Sequence, residues 1–480
     1  MVYQNEPLVS IEDSGASSKD SRNTFKQKGV SGMKHRKILL VVLLLTLLSL
    51  SAFSAKITIT WWINPWRIAP PGFPADKAPS SEDYPKWASE EFMRLHPDVE
   101  VNYVVVGNQE YSQKMAAAIA TRTQPDFFKG PVWDSRWAQS GLLEPIDAYL
   151  SQEDREDFYQ VVLDEGLVNG KRYIWPWNFG TNGMGTAMLL YTPDFDKAEI
   201  DWRHIVRNGW TMEEFVEACK KLTWDSNNDG EIDHYAISFG AKDIHNIINF
   251  LYAFGGRLSD EAETTVTLNT PEAVAGLQFV IDLVNKYKVA PKGVEALGVY
   301  DVIGDFHSHR TSIGFGGPYE IGRITRYILA GTLKEMFYPV LAPFPHVEGK
   351  DPVAHTSGSG FIIFKQNDQA KRDMVFEFVK FLTNKQNLAL LETLQYLTAR
   401  DSVNQRLYLN DPYMNKQVKT YGEIMDKYGM SFFGSQEFPW SQIEKYIISA
   451  FEAAFAGSKT PKKALDDFVA EADKIVKKAK

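Results

Sequence analysis

The segment Asp225-Ser-Asn-Asn-Asp-Gly-Glu-Ile-Asp233 is a stretch whose spacing alone suggests a metal. Asp225, Asn227 and Asp229 supply side-chain oxygens at alternate positions and Gly230 follows them. This matches the opening of a calcium loop, where hard oxygen donors wrap one ion in a tight turn. Glu231 would add its carbonyl, and Asp233 a carboxylate or a held water. The bidentate Glu expected at the twelfth position is Ala236, so the loop is not a complete EF-hand. An Asx-rich surface turn is the competing reading. A structural calcium is the one cofactor the sequence offers.

No enzyme constellation appears. HExxH, GxSxG and P-loop patterns are missing from the sequence. The glycines at 180–185 and 314–317 lack a strand–loop–helix setting with an acidic partner downstream, so they read as hinge or turn. Rings are abundant instead: 12 Trp, 21 Tyr and 29 Phe make 13% of the chain, which suits large cores or a cleft walled by flat apolar faces. A net charge of −9 argues against nucleic acid, whose binding needs Lys and Arg to neutralise phosphates.

Elements that could position such rings are legible. Lys34, Arg36 and Lys37 precede an apolar run from Ile38 to Leu50, then Ser51-Ala-Phe-Ser-Ala55, which is the pattern of a secretory signal peptide over 33–55. A run of thirteen residues is short for a membrane span, which takes ~20 apolar ones. Cleavage is expected near Ser54 or Ala55, and residues 1–32 read as a disordered or mis-called leader before a true start at Met33. The product is expected to be exported to the periplasm or extracytoplasmic space. The lone Cys219 can form no disulfide within the chain, and no cysteine at the cleavage site could take a lipid. A soluble monomer that is not a lipoprotein follows.

Lys56 to Trp62 alternates with β-branched residues and reads as a strand; 65–85 reads as a long loop. A helix over 84–95, a strand over 99–106 and a helix over 111–121 follow, an order that predicts a parallel sheet with crossover helices. Further helices are expected over 271–287, with Thr270 as its cap and Pro at the first position, and over 369–382, 440–455 and 464–476. Short β-type runs occupy 311–315 and 360–364. Trp61 and Trp62 alternate on the first strand, so one should face core. Trp62, at the strand end beside Asn64, is the one expected to meet a ligand, since ligands gather at carboxyl ends of parallel strands. Trp66 in the next loop joins it as a candidate.

Eight short motifs in order resemble those of bacterial extracellular solute-binding proteins of ABC importers, in the carbohydrate-binding group that includes maltose-binding protein. They are Pro125-Asp126 with Trp137–Ile146, Gly170–Pro176, Leu190–Phe195, Gly209–Phe215, Phe254-Gly-Gly256, Phe306–Tyr319, Gly358–Ile363 and Phe376–Leu382. Each is weak alone; their order across 57–477 is specific. The loop at 64–85 is longer than the family usually has, and Thr192 replaces a usual Asn.

The resemblance implies an α/β fold of two discontinuous lobes joined by a hinge. The expected division is 56–177 and 311–357 for the first lobe, 184–310 and 361–480 for the second. Crossings are expected near 177–183, 310–314 and 357–360. It also implies a non-catalytic protein that captures a mono- or oligosaccharide or a polyol and hands it to the transmembrane subunits of an importer. A sugar has apolar faces for rings and a rim of hydroxyls that need partners. By family position, Tyr319 is the leading ring, and Lys129, Trp133, Trp177 and Trp440 are further contacts. Asp243 and His245 align with polar contacts, Asp243 being otherwise a helix cap. A secreted glycoside hydrolase is the alternative; it would need two facing carboxylates, and none of the 61 Asp/Glu marks itself as one.

Overall fold

The structure, a computed structural model, describes residues 56–479 apart from 75, 180–186, 330, 332, 334–336, 357 and 433–437. The expected leader, signal peptide and cleavage point therefore lie outside the described residues, as do most of the first expected crossing and Ser357 of the third. No helix among the described residues is long and apolar enough to cross a membrane.

Two main sheets organise residues 56–479. The first has six strands in the order β10-β4-β9-β3-β1-β2: β1 (Ile57–Ile63), β2 (Val99–Val105), β3 (Phe127–Lys129), β4 (Ile174–Phe179), β9 (Gly358–Ile363) and β10 (Leu397–Thr398). The second has four, β8-β5-β7-β6: β5 (Ala187–Leu190), β6 (Tyr235–Ile237), β7 (Thr311–Gly316) and β8 (Val340–Ala342). β1 runs parallel to β2 and β3 with helices Asp83–Leu95 and Tyr111–Thr121 as the crossovers, as the spacing predicts. β9 is antiparallel to both β3 and β4.

Local signals account for the elements. On β1 the period-2 alternation buries Ile59, Trp61 and Ile63 on one face. Trp61 stacks on Phe127 at 5.6 Å, meets Phe378 edge-on and donates its indole N–H to Ser89 Oγ at 3.1 Å. Helix Pro271–Asn285 opens with Thr270 Oγ accepting from the Ala273 N–H, the expected cap. Helix Met212–Lys221 carries a full capping box between Thr211 and Glu214.

Strand pairing and core packing depart from the expected division in two segments. Residues 311–357 were expected with the first lobe, yet β7 pairs with β5 and β6, and β8 pairs with β5, so both strands are built into the second sheet. Ile321, Leu341 and Ala354 of this segment nevertheless pack in the first core, and the chain rejoins the first sheet at β9. Residues after 361 likewise split: Val375 to Met425 contribute to the first core, Phe432 to Val476 to the second. The reason lies in β5. Met188 and Leu190 point into the second core while Ala187 and Leu189 point into the first, so β5 needs neighbours buried on both faces, and β7 supplies one. A buried run such as Thr311–Gly316 does not state which sheet it joins.

Candidate functional site

β1 and β3 end side by side, with Ile63 opposite Lys129, so the residues that follow them gather at one sheet edge. The Asn64 N–H donates to the Lys129 carbonyl at 3.0 Å, and the Asn64 side chain bridges Asn108 and the Trp66 indole N–H. That bridge turns Trp66 back over the edge. Its ring meets Trp177 edge-on at 5.3 Å and Tyr396 edge-on at 5.2 Å, and Tyr396 stacks on Tyr319 at 5.2 Å. Tyr319 follows the end of β7 on helix Pro318–Leu329, whose Ile321 packs in the first core, so the row of rings lies on that core.

Lys129 is the charged member of this group. It is 3% exposed, and its ammonium lies 5.0 Å from the Trp66 ring centre and 5.3 Å from that of Trp177. Among the described residues no carboxylate reaches it. Burial alone lowers its pKa to about 7. The adjoining Trp177 indole N–H is also buried, with no acceptor among the described residues. A buried indole donor without an acceptor thus sits beside an ammonium with no carboxylate, a costly arrangement unless something else supplies oxygen atoms.

Asn64, Trp66, Lys129, Trp177 and Tyr319, five of the sequence candidates, therefore form one continuous group with Tyr396. Trp62 and Trp133 are elsewhere: both pack on a smaller cluster with Tyr111 and Phe128, and Trp62 meets Tyr111 edge-on at 6.4 Å. Side chains alternate along β1, and Trp62 points to the face opposite Trp61. Tyr396 is the ring that sequence reasoning missed. It precedes the two-residue strand β10, and nothing in its local pattern marks it.

A second polar group lies on the side of the second core. Asp243 is fully buried and makes no helix-capping bond; its carboxylate accepts from the Asn246 amide, and burial raises its pKa to about 7. His245 stacks on His355 at 5.7 Å, and burial holds both rings neutral, with pKa values lowered to about 4 and about 3. Trp440 opens helix Trp440–Phe455 and packs, partly buried, on the second core. A hollow of about 640 Å³ between helices Trp202–Asn208 and Pro412–Tyr428 contains none of the sequence candidates; the buried donors around Lys129 are the better guide, because an open groove carries no unmet chemistry.

In the loop proposed for calcium, the oxygens are engaged with the loop's own backbone. Asp225 accepts from the N–H groups of Asn227, Asp229 and Gly230, Asn227 from Asp229, Asp229 from Glu231, and Asp233 from Ser226. This is an Asx-turn network on the surface.

Comparison with known proteins agrees with this architecture. A maltotriose-binding protein of Pyrococcus abyssi is 26% identical over 342 residues, a match spanning 70% of this chain and 66% of that protein, just under two thirds of its length. The maltose/maltodextrin-binding domain MalE of Bdellovibrio bacteriovorus, bound to maltotriose, superposes with a TM-score of 0.66 at 18% identity, covering 88% of this chain and 100% of that one. An ABC substrate-binding protein of Listeria monocytogenes in complex with cycloalternan gives 0.67 at 20% identity, covering 88% and 99%. These likenesses establish the two-lobed fold. Residues 77–389, more than half of the chain, match the family described as "Bacterial extracellular solute-binding protein". The chain belongs to that family of non-enzymatic, extracytoplasmic binding proteins.

Proposed function

We propose that this protein captures a carbohydrate, an oligosaccharide before a monosaccharide or polyol, between its two lobes and delivers it to an ABC importer. The observation that carries the reading is the Lys129 ammonium, buried between the Trp66 and Trp177 rings with no anion, beside an indole N–H with no acceptor. Sugar hydroxyls supply the oxygens these donors lack, while Trp66, Tyr396 and Tyr319 offer flat faces for C–H surfaces. In this arrangement the rings touch one another, so admission of ligand requires a ring to swing aside, and ligand bound by both lobes favours closure. Relatives named for maltotriose make that trisaccharide the first probe.

The test is a thermal-shift screen with maltotriose and a sugar and polyol library, followed by mass analysis of the recovered ligand. A ligand at 100 times its Kd should stabilise the protein by ~2.7 kcal/mol. Recovery of a cleaved sugar, the glycoside hydrolase outcome, would refute the proposal, as would a library that produces no shift at millimolar concentration.

The same proposal includes export by the 33–55 signal, a mature chain beginning near residue 55 without lipid, a monomeric state and docking on the importer's transmembrane subunits. N-terminal mass analysis of the exported protein tests the first two. For the Asp225–Asp233 loop it carries calcium as the ion to test: a calcium-dependent rise in melting temperature that Asp225→Ala abolishes would support it.

A further inference from the structure

The second sheet brings three metal-ligating side chains to one edge from positions far apart in sequence. β6 and β7 are parallel with Tyr235 opposite Thr311, so the residues just before them, His234 and His309, emerge together. β5 is antiparallel to β7, so its carboxyl end arrives at that edge too, held by the Tyr191 N–H on the Ser312 carbonyl at 2.9 Å. Helix Thr192–Lys197 then starts there and presents Asp194. The three donors lie within 4.8 Å of one another.

Their geometry is that of a site, in several independent respects. Asp194 Oδ2 is 2.8 Å from His309 Nε2 and 3.6 Å from His234 Nε2, and it accepts from Ser312 Oγ at 2.6 Å. Donors bound to zinc at ~2.0–2.1 Å in a tetrahedron stand roughly 3.3 Å apart, so the two Asp194–histidine separations need shifts of about half an ångström or less, and the third pair lies within 4.8 Å. The rings are held in orientation: His234 lies flat on Trp224 at 3.6 Å, and His309 packs on Tyr191 at 4.2 Å. Asp194 and His234 are buried, whereas the His309 side chain is 44% exposed, which leaves an entry path. His309 also holds a left-handed backbone, φ +57°, a conformation uncommon for any residue but glycine.

The protonation states suit a cation. Burial opposes ionisation of Asp194, yet hydrogen bonds from His309 and Ser312 outweigh it and keep the carboxyl below its ordinary value. Burial lowers His234 to about 4, so it is a neutral imidazole at physiological pH, the form that binds metal.

We infer that Asp194, His234 and His309 form a transition-metal site for zinc, with the fourth position left to water, that ties β5, β6 and β7 together at this edge. A carboxylate with two imidazoles is a zinc donor set; calcium and magnesium would demand oxygen ligands throughout. Both imidazoles present Nε2 to the ion, which requires His309 to move to Nδ1 the proton it now shares with Asp194, and displaces the Ser312 hydroxyl from its 2.8 Å contact with His234 Nε2. The site is at the opposite end of β7 from Tyr319, roughly 20 Å away at ~3.3 Å per residue, and is independent of the sugar proposal.

Calorimetry of the purified, chelator-treated protein with zinc alone tests it. One zinc per chain is expected, with a melting temperature that rises with zinc, and His309→Gln, at a half-exposed position, should weaken binding at least about 10-fold. Cobalt should bind competitively and give the visible absorption of a tetrahedral ion. His234→Gln should also lose zinc, but His309→Gln keeps the test valid if that buried variant misfolds. Zinc binding unchanged in His309→Gln would overturn the inference by assigning the ion to other histidines. So would the absence of binding at ~100 μM zinc, leaving a hydrogen-bonded structural network. Maltotriose binding by His309→Gln should be unchanged, which separates failure here from failure of the sugar proposal.

Discussion

The Tyr319 ring lies flat against that of Tyr396, centroids 5.2 Å apart and planes within 10°. Tyr319 begins the helix that follows β7 of the second sheet, and Tyr396 sits just before β10 of the first. That helix packs through Ile321 on the first core, so the contact lies on the first core where β7 leads into it, at the place where Trp66, Trp177 and Lys129 gather.

Tyr396→Ala removes one side of that stack and the edge contact with Trp66. Maltotriose, or whichever sugar the screen returns, should bind about 10-fold more weakly by calorimetry, since a ring–ring or ring–sugar contact is worth ~0.5–1.5 kcal/mol beyond area. Unaltered affinity would remove these rings from the ligand site.

Lys129→Met should lower sugar affinity by roughly 10- to 100-fold, because a hydrogen bond from a charged group contributes ~1.5–3 kcal/mol. It should not destabilise the free protein, since it replaces an unpaired buried cation by an apolar chain of similar length. Calorimetry beside thermal melting reads both effects, and a loss of stability without a loss of affinity would contradict the assignment.

Lys129 also sets a pH dependence. Its folded pKa is about 7 against an ordinary 10.5, so between these values the unfolded chain holds a proton that the folded chain has released. Its contribution to stability therefore rises with pH from about 7 to 10.5, while sugar affinity falls as the folded-state ammonium is lost around pH 7. Urea melts at pH 7 and 9.5 should show a smaller rise in Lys129→Met than in the parent protein.

Asp243 works in the opposite direction. Its folded pKa of about 7 lies above the ordinary 3.8, so its stabilising contribution is complete below 3.8 and is lost as pH rises to about 7. The depressed pKa values of His245 and His355 make stability fall as pH drops from 6.5 toward 4. Asp243→Asn should thus gain stability relative to the parent at pH 8 and lose that advantage by pH 4, measured by chemical denaturation.

Gly360 lies where the β9–β4 register shifts, and a Cβ there would come 1.8 Å from the Trp175 carbonyl oxygen of the neighbouring strand. Gly360→Ala should cost about 1–3 kcal/mol, because backbone cannot move aside as a side chain can. An unchanged midpoint in urea would show that the strands can separate locally.

Much of the local structure was already legible in the chain. The β1 alternation, the Thr270 cap and the Gln369–Leu382 helix are written in side-chain period and capping chemistry, which act over a few residues. The ordered motifs also carried the family. Among the candidate ligands, Asn64 and Trp66 were accessible because they follow a strand end, and Lys129 through the family motifs. Tertiary structure decided the rest. Period-2 burial gives Trp62 a face but does not say that the face lies away from Lys129, and the Thr311–Gly316 run has no local mark of its sheet. Tyr396, and the meeting of Asp194 with His234 and His309, depend on strand pairing between residues tens to hundreds of positions apart. Such pairings follow from which buried faces fit one another, a property of the packed whole that no short window of sequence contains.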